Sequence, residues 1–283
     1  MMPRIPFLLA VLAACVPCSL GQQPANAITP LELRTKNNGG VWLYLPPNAP
    51  ADAKVPCVVV PPAGTRLFHG MILSEGDRPE HLPYAAAGFA VISFDISGPW
   101  SQEDGPSKLQ PALRAFTMAK CGVADALEAV EAALSKDSRI DPKRLYVAGH
   151  SSAATLSLQI ASSTDQFKAC VAFAPTVNVP QDFGVALLSS LDRVLPRTAA
   201  TIRELSPSNR VESFHCPILL FHALDDSTVP PQSILSFKDD LLAHQKSVEY
   251  VSVPTGGHYN SMIKEGIPKA ISWLKAIDSG SAK

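Results

Sequence analysis

No charge of either sign prevails in this chain: 24 Lys and Arg residues stand against 25 Asp and Glu, for a formal net charge of -1 over 283 residues. A balanced surface has no field to draw in nucleic acid or an anionic membrane surface, which leaves small or neutral substrates as the expected partners. Metal-ligand spacing is missing as well. Cys57, Cys121, Cys170 and Cys216 show no CxxC or Cys/His pattern, and His69, His81, His215 and His244 have no second ligand at metal-binding spacing. No metal site and no cofactor is expected. Internal repeats and low-complexity segments are absent, which excludes solenoids and arrays. The N-terminal apolar run, Ile5 to Leu20, is short of the roughly 20 residues that span a bilayer and contains Pro6 and Pro17.

That run, preceded by Arg4 and followed by small and polar residues ending in Ala25-Asn26-Ala27, has the layout of a secretory signal. Residues 1–27 are expected to direct export to the periplasm or the exterior, with cleavage near Gly21 or Ala27. A second reading is a lipoprotein leader, because Leu12-Ala13-Ala14-Cys15 resembles a lipobox and would place a lipid anchor on Cys15. Residues 28–283 are expected to form one domain; with 46% hydrophobic side chains the chain buries a sizeable core. Cys57, Cys170 and Cys216 sit in or beside apolar runs, so buried free thiols are expected rather than a disulfide framework.

What is present is an alternation. Short, nearly continuous apolar runs at 41–45, 57–61, 90–96, 144–149, 169–174, 217–223 and 248–253 read as strands buried on both faces of a parallel sheet. Between and after them, 113–136, 233–244 and 266–277 space their apolar residues at three and four, as amphipathic helices do. The expected fold is α/β, a mostly parallel sheet with helices on both faces and sites at the carboxyl ends of the strands. The segment 177–214 is long for a strand-to-helix connection and is expected to form a short cap. Its Phe183, Val185, Leu187, Leu188, Leu191 and Leu195 either pack on the core or line an acyl pocket.

In "AGHSSAAT" Ser151 falls where an apolar strand gives way to a helix. One reading is an ordinary helix cap, for which serine is preferred. The other is a nucleophile on a sharp turn, which needs small residues two before and two after it; Gly149 and Ala153 stand there. A serine hydroxyl needs a base, and the base an orienting acid. Asp225 and Asp226 follow the strand at 217–223, and His258 follows the strand at 248–253 in the glycine-bearing "PTGGHYN". Serine, acid and histidine, each after its own strand and in that order, match the chain order of the α/β-hydrolases. His150 is expected to be a packed or hydrogen-bonded structural histidine.

With "GFAVISFDISGPW", "DPKRLYVAGHSSA", "CPILLFHALDDSTVPP" and "PTGGHYN" together, the chain resembles the α/β-hydrolase superfamily over about residues 40–277, in its dienelactone hydrolase and prolyl oligopeptidase branch. The resemblance implies an α/β-hydrolase fold and a catalytic triad of Ser151, Asp226 and His258. Asp226 is preferred to Asp225 because it stands three residues after Ala223 and three before Val229-Pro230. It also implies an oxyanion hole of backbone N–H groups, one from Ser152 and one from the loop after an early strand. That loop reads "VVVPPAGT" where the family usually carries His-Gly; Pro61 and Pro62 have no N–H, so Ala63 or Gly64 is the expected donor. The implied activity is that of a serine hydrolase: an esterase acting on small or medium esters in the first place, a prolyl oligopeptidase-type peptidase acting on short peptides in the second. A hydrolase fold without catalysis is the remaining alternative.

Overall fold

The computed structural model describes residues 28–281; the expected leader and Cys15 lie outside them. Eight strands form one sheet: β1 (Leu31–Arg34), β2 (Gly40–Tyr44), β3 (Val55–Val59), β4 (Ala90–Phe94), β5 (Ile140–His150), β6 (Phe167–Phe173), β7 (Ile218–Ala223) and β8 (Val248–Val253). Their order is β1-β2-β4-β3-β5-β6-β7-β8, with β1/β2 and β2/β4 antiparallel and every other neighbouring pair parallel. The helices are α1 (Arg78–Ala86), α2 (Leu109–Met118), α3 (Val123–Lys136), α4 (Ser152–Ala161), α5 (Val179–Val194), α6 (Thr198–Leu205), α7 (Pro231–Ala243), α8 (Gly257–Ser261) and α9 (Ile267–Asp278).

The apolar runs are continuous because each central strand is covered twice. On one face Val59, Ile92, Val147 and Leu220 pack with Val130 of α3, Leu156 of α4 and Phe237 of α7. On the other, Val58, Val91, Tyr146 and Phe221 pack with Tyr84 of α1 and Leu274 of α9. Successive residues of a strand point to opposite faces, so a strand apolar at every position belongs in the middle of such a sandwich. The doubly covered, mostly parallel sheet expected from the sequence is the one found.

One detail differs from expectation. The pattern at 113–136 is not one helix: α2 and α3 are separated at Lys120, Cys121 and Gly122, whose φ values of 51°, 56° and 100° reverse the chain. The segment 177–214 folds into α5 and α6, with a third small core in which Leu188, Leu191 and Ile202 meet Phe68 and Leu113. Val185 is exposed, Leu188 and Leu191 are buried, and Phe183 and Leu195 pack at that core's edge. The four described cysteines are free thiols, three of them buried. Burial pushes Cys121 up to about 12 and Cys216 up to about 11, so neither thiol is ionised at neutral pH.

Candidate active site

Three strand ends converge on one place. β5 runs into α4 through Ser151, whose φ of 56° and ψ of -120° lie where side chains are strained. The turn is held by the Ser151 N–H, which donates to the Phe173 carbonyl at the end of β6 at 2.9 Å. Its tightness explains Gly149: a Cβ there would stand 2.4 Å from the Ala153 carbonyl oxygen and 2.7 Å from Ser157 Oγ. Ser151 makes no side-chain cap for α4, so of its two readings the strained elbow is the one the geometry carries.

Asp226 follows β7 and is buried. Its Oδ1 accepts from the Thr228 and Val229 N–H groups at 2.8 and 3.1 Å, and its Oδ2 lies 2.7 Å from His258 Nδ1. His222 Nε2 stands 3.4 Å from the same Oδ2 and bonds the Val229 carbonyl at 2.8 Å. Burial pushes the Asp226 carboxyl up, but the bonds from His258, Val229 and Thr228 outweigh it, and the pKa lies below the ordinary value. An ionised carboxylate therefore fixes Nδ1 as the protonated nitrogen of His258 and leaves Nε2 as the acceptor.

His258 itself is carried by a turn that only glycine allows. Gly256 has φ of 121°, and a Cβ on it would come within 2.9 Å of the Ser261 Cβ. Asp225, next to the acid, accepts from the Gly256 and Gly257 N–H groups at 3.0 and 2.8 Å, so it ties the histidine loop to the acid loop. The loop that Asp225 holds has no local signal in the sequence, since its partners are about thirty residues away. His150 is buried, sends Nε2 to the His258 carbonyl at 2.9 Å and faces Glu80 Oε1 with Nδ1 at 3.6 Å. The His150 and His258 rings lie 4.5 Å apart, which puts His258 beside the elbow.

In front of Ser151 is a cleft of about 330 Å³ walled by Leu67, Phe68, Phe183 and Leu187. The loop after β3 closes one side. There the Gly64 and Thr65 N–H groups both donate to Ser152 Oγ, at 2.8 and 3.1 Å. Gly64, one of the two expected oxyanion donors, thus already has a partner in this structure.

Residues 80–277 match the family model described as the prolyl oligopeptidase family. The chain belongs to that family. It is similar to the uncharacterized peptidase YuxL of Bacillus subtilis, 24% identical over 250 residues that make up 85% of this chain and 36% of that protein. Among solved structures, it resembles the Pyrococcus horikoshii acylaminoacyl peptidase with TM-score 0.69 and 19% identity, over 89% of this chain and 41% of that one. It also resembles the Thermogutta terrifontis esterase Est2 with TM-score 0.68 and 17% identity, over 90% of this chain and 96% of the esterase. The chain spans about two-fifths or less of the length of the two peptidases. The shared architecture is the α/β-hydrolase fold, and the family is one of serine hydrolases.

Proposed function

We propose that this chain is a serine hydrolase that cleaves carboxylic esters of small or medium size through an acyl-enzyme. The observation that carries the reading is the strained Ser151 elbow beside a His258 whose Nδ1 is held by buried Asp226 at 2.7 Å. Ser151 Oγ attacks the ester carbonyl carbon while His258 Nε2 takes its proton; the tetrahedral oxyanion collapses, and the alcohol leaves with that proton. Water then attacks the acyl-enzyme, giving its proton to the same nitrogen, and the acid departs from a regenerated Ser151. The Ser152 N–H, at the first position of α4 and without a helical acceptor, faces the developing oxyanion. Ester rather than peptide substrates are supported by the apolar side chains of Leu67, Phe68, Phe183 and Leu187 in the cleft, which suit an acyl chain. Peptide hydrolysis is the second reading, favoured by the family match and by the peptidase relatives. The signal-like layout of the sequence at 1–27 supports export as the chain's destination.

The test uses nitrophenyl esters from acetate to long acyl chains beside a few peptide amides, together with fluorophosphonate labelling. Wild-type protein is expected to label and to turn over esters, and Ser151→Ala to do neither while keeping its melting temperature. Labelling that persists in Ser151→Ala removes the proposed nucleophile, and faster turnover of the amides replaces the esterase reading with the peptidase one.

A further inference from the structure

In the loop that normally completes an oxyanion hole, the N–H groups of Gly64 and Thr65 are already engaged. Pro61 and Pro62 have none to offer, and Gly64 and Thr65 converge on Ser152 Oγ. The same two bonds decide what Ser152 has left. A serine hydroxyl has two acceptor lone pairs and one proton. Both lone pairs are taken by the loop, and among the described residues no acceptor receives the proton. Its neighbours differ: Thr155 donates to the Thr176 carbonyl at 2.9 Å and Ser157 to the Ala153 carbonyl at 2.8 Å. Ser152, at the first helical position, has no carbonyl one turn back in the helix.

We infer that the Ser152 hydroxyl is the second donor of the oxyanion hole, standing in for the loop N–H, so that one residue stabilises the oxyanion with both its backbone N–H and its side chain. The inference rests on the serine hydrolase reading above. Ser152 follows the nucleophile in the chain, is buried, and lines the cleft in front of Ser151. Two accepted amide bonds polarise the O–H and make it a better donor than a free hydroxyl. They also hold the oxygen still, so the donor is in place before negative charge develops. The loop N–H groups act through Ser152, as anchors of a hydroxyl.

The experiment compares wild type, Ser152→Ala and Ser152→Thr on a nitrophenyl ester and on its thiono analogue, in which sulfur replaces the carbonyl oxygen. Ser152→Ala is expected to lose about 10²-fold or more in kcat on the oxygen ester with KM little changed, the effect of removing one oxyanion donor. Its preference for the oxygen ester over the thiono ester falls in parallel, because sulfur is the poorer acceptor and a purely structural change moves both rates together. Ser152→Thr keeps the hydroxyl and recovers most of the rate. Should Ser152→Ala not fold, Ser152→Cys, with its weak S–H donor, carries the same expectation. A Ser152→Ala enzyme as fast as wild type, or faster, overturns the assignment, because the released Gly64 and Thr65 N–H groups then serve directly. Wild type that neither labels with a fluorophosphonate nor hydrolyses esters overturns the hydrolase reading and this assignment with it.

Discussion

At the scale of single residues, the two adjacent aspartates divide one task. Asp226 is buried on His258, and replacing it by asparagine presents an amide that donates where the carboxylate accepted, which holds the imidazole in the wrong tautomer. Asp226→Asn is expected to lower kcat by about 10³ to 10⁴. Asp225 is exposed, and its work is to accept from the Gly256 and Gly257 N–H groups. Asp225→Asn keeps one acceptor oxygen and should stay within about tenfold of the parent, a surface-contact loss. Asp225→Ala removes both acceptors, frees the loop that carries His258, and falls below the asparagine variant. Steady-state kinetics of the three on one nitrophenyl ester check the ranking, and parity between Asp226→Asn and Asp225→Asn would detach His258 from its orienting acid.

At the scale of elements, what was legible in the sequence is what the sheet itself decides. The central strands could be read because burial on both faces leaves an unbroken apolar run, whereas β1, largely exposed at the sheet edge, has no such run and was not anticipated. α1 was missed because Pro79 and Pro83 fall within it, although a helix tolerates proline in its first turn and, at a cost, further in. The break between α2 and α3 escaped because the spacing of apolar residues continues across it; Gly122 was the sole clue to a reversal that also puts Lys120 and Cys121 at positive φ. Of the candidate site, Ser151, Asp226 and His258 could be picked out from residue order and strand ends, while the bonds on the Ser152 hydroxyl could not, since its partners lie nearly ninety residues away. α5 supplies the prediction that belongs here. Phe183 and Leu187 project from it into the cleft, and Leu187 is about one-third exposed, so a larger side chain fits there without disturbing the core. Leu187→Trp should shorten the usable acyl chain and shift the kcat/KM ratio of long to short nitrophenyl esters downward by about tenfold, within the range that a methylene or two commands in an apolar pocket. An unchanged ratio would mean that the acyl group lies elsewhere.

At the scale of the whole molecule, β5 joins the candidate site to the last helix: Ser151 follows its carboxyl end, and Arg144 and Tyr146 in its middle are tied to Asp278 at the end of α9. Arg144 reaches the Asp278 carboxylate with two nitrogens, Nε at 2.7 Å from Oδ1 and Nη2 on Oδ2, and the Tyr146 hydroxyl donates to Oδ1 at 2.8 Å. The Arg144 bonds hold the Asp278 pKa below its ordinary 3.8, burial opposes them, and Tyr146 adds to them. A carboxyl whose pKa is lower folded than unfolded stabilises the fold fully above the unfolded value and loses that contribution as pH falls through the folded one. Asp278→Asn should therefore cost about 1 kcal/mol, or a few degrees of melting temperature, at neutral pH, as loss of a partly exposed charged hydrogen-bond pair does. The gap between the two proteins should close as pH drops below the ordinary carboxylate value, where the wild-type carboxyl is protonated as well. Because Asp278 bonds Arg144 and Tyr146 and makes no contact with Ser151, Asp226 or His258, kcat on a nitrophenyl ester stays at the parent value at temperatures where both proteins are folded. Thermal unfolding from pH 7 to pH 2, with kcat measured alongside, tests both statements. A melting-temperature gap that stays constant across that range would show that Asp278 contributes shape rather than charge.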